Sequence, residues 1–272
     1  MPDMIRSFMT YLDNKIRSVD DIEQLFRVPL VGVTPALASK DVCEHSFVSI
    51  NNPASQLAKS FQTLHNNLLA VNREKLPHTL AVTSSMASEA KSSTCINLAT
   101  VFARQGKRVL LVDADLRRPT AHQRFELGNL YGLSNYLAEQ AEADDVIQPS
   151  LIPGVSVITA GPVTFRPGEL LARSRLQELF ALAPERFDII ILDAPPTMDM
   201  SDALALCKYS ETCLMIAAFA QSKRQDVSEG LQRLRHVKAN VLGVVLTKYK
   251  MPPQPQEQPA YKQLPSAEGA LV

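Results

Sequence analysis

The chain has 272 residues, 46% of them hydrophobic and 21% charged, enough apolar surface for a sizeable core and too much for global disorder. Its 28 Lys and Arg balance 28 Asp and Glu, so no net field draws it to DNA or RNA, and no nucleic-acid partner is expected. Cys43, Cys95, Cys207 and Cys213 lack CxxC spacing, which points to reduced thiols in a cytoplasmic protein rather than disulfides or zinc.

The start, MPDMIRSFMTYLDNK, is broken by charges before a secretory apolar region can form, and no stretch approaches the ~20 apolar residues of a membrane helix. Residues 1–28 set Ile5, Phe8, Met9, Leu12, Ile16, Ile22, Leu25 and Phe26 at helical spacing among mixed charges, which reads as an amphipathic helical arm. Seven short apolar runs follow: LVGV (30–33), TLAVTS (79–84), RVLLVD (108–113), VSVIT (155–159), DIIILD (188–193), CLMIAA (213–218) and VLGVVLT (241–247). Such runs, rich in Val, Ile and Leu without strict alternation, are strands buried on both faces of a parallel sheet. Helical patterns lie between most of them, notably from about Pro53 to Val71 and from Ser92 to Gln105, the second closed by Gly106. Residues 29–249 are therefore expected to form one α/β domain, a doubly wound, mostly parallel sheet flanked by helices, with any ligand beyond the carboxyl ends of the strands. Residues 250–272, with five Pro after Lys250, read as a flexible tail.

After TLAVTS comes SMASEAKSS and then a helix. A strand, a loop of small residues, Lys-Ser and a helix make the layout of a phosphate-binding loop, whose amides and helix N-terminus face an anion. Ser88, Glu89, Ala90, Lys91, Ser92 and Ser93 form the binding stretch, with Lys91 reaching the outer phosphates and the Ser92 hydroxyl on Mg²⁺. Against the pattern G-x-x-x-x-G-K-S/T, Ser85 and Ala90 stand at the glycine places, so approach of the backbone to phosphate is expected to suffer at Ala90 most. Two further runs end in acids: Asp113 and Asp115 in RVLLVDADLRRP, and Asp193 in DIIILDAPP. In a parallel sheet these ends meet the loop, which makes Asp113 the candidate base and Asp115 and Asp193, with Ser92, the metal-side ligands. Each acid alone also fits a turn or helix cap. Arg117 and Arg118 suit either phosphate or a surface salt bridge.

The succession SSMASEAKSSTCINLA, GKRVLLVDADLRRP, GLSNYLA, a GP...RPGELL segment and FDIIILDAPP resembles the bacterial tyrosine kinases of capsule and exopolysaccharide export. The resemblance implies a P-loop fold, ATP and Mg²⁺ as cofactors, phosphoryl transfer to tyrosines in a neighbouring subunit's tail, ring assembly, and work with a membrane-embedded polysaccharide copolymerase or adaptor at the inner face of the cell membrane. The early loop Lys of partitioning-type ATPases is missing, since no Lys occurs from Pro77 to Ala90. Lys59, Gln62 and His65 replace the family's Glu, Arg and Arg on the helix that joins subunits, which implies a homo-oligomer with a weakened ring interface. Thr247 and Lys248 stand where the family reads the nucleotide base. Tyr261 is the exposed candidate phosphoacceptor, where relatives carry a tyrosine cluster. Together these departures lead to the expectation of a regulatory, pseudokinase-like domain with nucleotide binding kept or weakened and kinase activity impaired; an active autokinase is the alternative, and a partitioning-type ATPase ranks below both.

Overall fold

The structure is a computed structural model that describes residues 14–36, 46–164, 166–171, 174–181, 183–198 and 201–250. The first thirteen residues of the arm, Cys43, Tyr261 and the tail beyond Lys250 lie outside the described residues. An eight-stranded sheet forms the centre, in the order β1-β8-β7-β2-β6-β3-β5-β4. The strands are β1 (Leu30–Pro35), β2 (Thr79–Ser84), β3 (Val109–Asp113), β4 (Ile147–Pro149), β5 (Val155–Ile158), β6 (Ile189–Asp193), β7 (Thr212–Ala218) and β8 (Val241–Tyr249).

All seven expected runs are strands, and they pair in parallel. β4 is an addition: it runs antiparallel to β5 at the sheet edge. Its sequence, IQP, is two half-buried residues and an exposed proline, too short and too polar to read as an apolar run. Proline is tolerated there because an edge strand can spare an N–H.

Five longer helices matter for the site: α1 (Asp20–Phe26), α2 (Gln56–Val71), α3 (Lys91–Arg104), α4 (Asp202–Tyr209) and α5 (Arg224–His236). α2 begins at its N-cap Ser55, whose hydroxyl accepts from Ala58 N–H at 3.1 Å. α3 ends as expected before Gly106, which takes φ +78° where a side chain would be strained. The period-2 alternation of each strand feeds two cores. Leu80, Val82, Leu111 and Ile191 pack with α2 and α3 on one face, while Ala81, Val112, Leu192 and Met215 pack with α1, α4 and α5 on the other. His65 is buried within the chain and meets Phe102 edge-on, with ring centroids 4.7 Å apart.

The described part of the arm is helical only at α1. Ahead of it the chain is extended and bridges Lys15 to Lys223, and it buries Ile16 completely in the same core as Ile22 and Phe26.

The GLSNYLA and GP segments meet through two glycines. Gly161 has φ +79°, and a Cβ on Gly132 would lie 2.3 Å from both the Gly161 nitrogen and the Thr159 carbonyl oxygen. Backbone cannot yield to that contact as a side-chain tip can. Gly132→Ala should therefore cost about 2 kcal/mol and lower the melting temperature by roughly 4–8 °C in thermal unfolding. Gly128→Ala, whose Cβ would meet only Gln148 Oε1 at 3.7 Å, should leave the midpoint unchanged.

Candidate phosphate-binding site

β2 ends at Ser84 and α3 begins at Lys91, which puts the intervening loop at the carboxyl edge of the sheet. Ser88 (φ +65°) and Ala90 (φ +68°) both adopt left-handed backbone, at a cost of about 1–2 kcal/mol each for a residue with a side chain. The glycine-demanding places are thus 88 and 90. Ser85 is not strained; its hydroxyl donates to the Glu89 carboxylate at 2.9 and 3.1 Å. Motif spacing pointed to Ser85, because sequence shows which residue occupies a place and not the φ that place requires. Glu89 is buried and also accepts from Met86 N–H at 3.0 Å and from the Ser222 hydroxyl. Burial raises its pKa against the lowering effect of those donors.

A cavity of about 650 Å³ opens over the loop. Of the residues singled out in the sequence, Ser88, Ala90, Lys91, Ser92, Ser93, Asp115 and Thr247 line it, whereas Glu89, Asp113 and Asp193 do not. Glu89 faces inward. Lys91 Nζ forms a buried ion pair with Asp193. Burial by itself would lower the lysine pKa, but Asp193 and the Asp115 charge outweigh it and hold the ammonium protonated. Asp113 stands opposite Asp193 in the β3–β6 register, and its carboxylate accepts the Thr120 and Ala121 amides at 2.9 Å each. Asp115 accepts from Arg118 N–H at 3.1 Å, and burial raises its pKa. Among the described residues no cluster of three or more His, Cys, Asp or Glu forms a ready metal cage. A Mg²⁺ that takes one or two protein ligands plus phosphate oxygens needs none.

The two arginines separate. Arg117 Nε bonds Asp202 at 2.9 Å, a structural contact at the start of α4, whereas Arg118 lines the cavity. Arg124, which no spacing signalled, lines it too and donates to Ser93 Oγ at 3.0 Å and to Ser46 Oγ. Thr247 donates to the Glu89 carbonyl at 2.8 Å, and Lys248 Nζ to the Ser88 carbonyl at 2.6 Å, so both grip the loop.

Burial first, and then the facing Asp193 carboxylate, push Asp113 from the ordinary 3.8 up to about 7. The folded state therefore binds a proton that the unfolded chain releases near 3.8. The associated stability is complete below that value and is lost as pH rises through about 7. Without metal or nucleotide, the stability of the parent relative to Asp113→Asn should fall by at least ~1 kcal/mol between pH 4 and pH 8, as read from denaturant midpoints; parallel pH profiles would contradict this.

Residues 78–242 match the AAA domain family. Tyrosine-protein kinase YwqD of Bacillus subtilis (strain 168) is 30% identical over 208 residues, which cover 76% of this chain and 88% of that protein. Tyrosine-protein kinase etk of Escherichia coli (strain K12) is 34% identical over 200 residues, 74% of this chain but 28% of etk. The solved kinase domain of Escherichia coli tyrosine kinase ETK aligns with TM-score 0.80 and 29% identity over 90% of this chain and all of that domain. The septum site-determining protein MinD from Pyrococcus horikoshii OT3, complexed with Mg-ADP, aligns at TM-score 0.56 and 20% identity over 65% of this chain and 75% of its own, a likeness of fold alone. No helix among the described residues is long and apolar enough to cross a membrane. The chain belongs to the bacterial tyrosine-protein kinase family.

Proposed function

We propose that this domain binds MgATP at the loop 85–92 and regulates polysaccharide chain length or export with impaired phosphoryl transfer. The single observation that carries the reading is the buried Lys91–Asp193 pair at the foot of the cavity. The residues present fit the cofactor. About 650 Å³ is an ordinary size for a small-molecule site. Among the described residues, Lys91, Arg118, Arg124 and Lys248 line the cavity with Asp115 as the one acid. The α3 N-cap, Ala90, makes no side-chain capping bond, so the first amides of the helix are left for an anion.

When bound, MgATP supplies the γ-phosphoryl group and the metal charge that offsets negative charge during its transfer. Lys91 would then orient the outer phosphates, and Ser92 and Asp115, which line the cavity, would offer the metal-side oxygens; Asp193, paired with Lys91 outside the lining, would reach the metal only through an intervening water. Asp113, poised near neutrality, would in its deprotonated form accept the proton that an attacking hydroxyl loses; to do so its carboxylate must leave the Thr120 and Ala121 amides. That requirement, the left-handed Ser88 and Ala90, and the engagement of Lys248 with Ser88 in place of a base contact support impairment of transfer more than of binding. A membrane-embedded polysaccharide copolymerase or adaptor is the proposed partner, and the inner face of the cell membrane the proposed location.

The survival of Lys91, Ser92, Asp113, Asp115 and Asp193 on one sheet edge favours the second reading, an active tyrosine autokinase. Incubation of the full chain with labelled MgATP separates the two. The parent should bind nucleotide, Lys91→Met should weaken binding at least ~tenfold, or about 1.4 kcal/mol, and phosphotyrosine should stay at background. Ala90→Gly should tighten binding by several-fold. Label on Tyr261 of the parent would overturn the impaired reading, and equal binding by parent and Lys91→Met would overturn the site.

A further inference from the structure

We propose that Ser222 is a positioning residue for the phosphate loop: it holds the Glu89 carboxylate and so maintains the left-handed backbone at Ser88 and Ala90 that glycines would otherwise allow. The inference rests on the nucleotide reading of that loop and adds a residue from a distant segment to it. Residues with side chains stay in left-handed backbone only where their surroundings over-determine it. Here Glu89 sits between the two strained residues and is buried with its carboxylate turned inward.

Four groups outside the loop and α3 hold this stretch. The Ser222 hydroxyl donates to the carboxylate. The Gln221 amide and the Lys248 ammonium donate to the Ser88 carbonyl at 3.3 and 2.6 Å, and the Thr247 hydroxyl donates to the Glu89 carbonyl at 2.8 Å. Lys248 and Gln221 act at the exposed rim, whereas Ser222 is 2% exposed. A buried carboxylate that loses a donor has no water to replace it. Without Ser222, Ser85 and Met86 still donate to the carboxylate, but both lie in the loop itself, so the carboxylate loses its side-chain anchor to the rest of the fold and the backbone on either side is freer to rotate.

Ser222 has a firm base of its own. Its hydroxyl accepts the Ala218 N–H at 2.7 Å, and its own N–H donates to the Ala218 carbonyl at 2.9 Å. Its carbonyl accepts the Ile16 N–H at 3.0 Å, while the Ile16 carbonyl accepts the Ala220 N–H at 2.8 Å. The extended segment at Asn14–Ile16 and the turn after β7 are therefore one unit, and Ser222 connects that unit to the phosphate loop.

The test is hydrogen exchange of the amides of residues 85–92 in the full chain without nucleotide, together with MgADP binding by calorimetry. Ser222→Ala should speed exchange in that stretch by about tenfold, leave the amides of β2, β6 and β7 protected, and weaken MgADP by a similar factor. Lys248→Met, at the rim, provides a second variant and should shift both readouts in the same direction by less. In a Ser88→Gly/Ala90→Gly background the Ser222→Ala effect should shrink to threefold or less. Unchanged exchange at 85–92 in both variants would overturn the proposal, as would an equal Ser222→Ala effect in both backgrounds. Faster exchange in Ser222→Ala, from a parent that binds no MgADP, would uphold the positioning role and remove the nucleotide reading instead.

Discussion

A nearly dry ammonium facing a nearly dry carboxylate is the constraint to which the rest of this sheet edge conforms. Lys91 is the first residue of α3, where the helix dipole disfavours a cation, and its side chain has little water to compensate. Asp193 supplies the missing charge. Removing either partner of such a pair leaves an uncompensated buried charge, a cost of about 3–5 kcal/mol. Asp193 also faces Asp113 across the β3–β6 register, so Lys91 limits a repulsion that would otherwise fall wholly on the two acids. β2, β3 and β6 must therefore end at matching heights. The three apolar runs that precede Ser84, Asp113 and Asp193 are what hold them there.

The same edge shows how neighbouring residues of one type divide between structure and chemistry. Arg117 is drawn to Asp202, which is 3% exposed and needs a cation. A Cβ on Gly168 would come within 2.8 Å of an Asp202 oxygen, so the glycine of the RPGELL segment leaves room for this pair. Once Arg117 is committed, Arg118 remains on the cavity side. Asp113 and Asp115 divide in the same manner: the first caps the turn at Thr120 and Ala121, while the second keeps contact with the cavity.

The architecture was legible because burial in a parallel sheet leaves a simple mark, short runs rich in Val, Ile and Leu with few charges, and each of the seven runs carries it. β4 carries none, since its order comes from pairing with β5 rather than from its own apolarity. Lys91, Ser92 and the three acids were legible because strand ends and a helix start fix them by position. Orientation was not. Glu89 reads as a loop residue facing ligand, but Ser85, Met86 and Ser222 offer it more donors on the inner side. His65 stands on the helix that the resemblance assigns to a subunit interface, yet Phe102, 37 positions away, covers it within the chain. Arg124 and Ser222 belong to the site only through long-range packing, which no local spacing encodes, and the grip of Lys248 on the Ser88 carbonyl is set in the same way.

Net charge misleads in a related way. The chain balances its charges overall, which argues against a long-range attraction to polyanions. A cavity, however, responds to the few charges in its wall, because low-dielectric surroundings and distance from bulk ions reduce screening there. Lys91, Arg118, Arg124 and Lys248 share that wall with Asp115, and the compensating acids lie elsewhere, many of them on exposed helices where solvent weakens them. Asp193 neutralises Lys91 only from beneath, outside the cavity lining. A compact polyanion is therefore favoured at this one place by a protein that has no overall preference for anions. The apolar side formed by Pro35, Ala36, Leu57 and Phe61 suits a ligand whose other end is flat and uncharged.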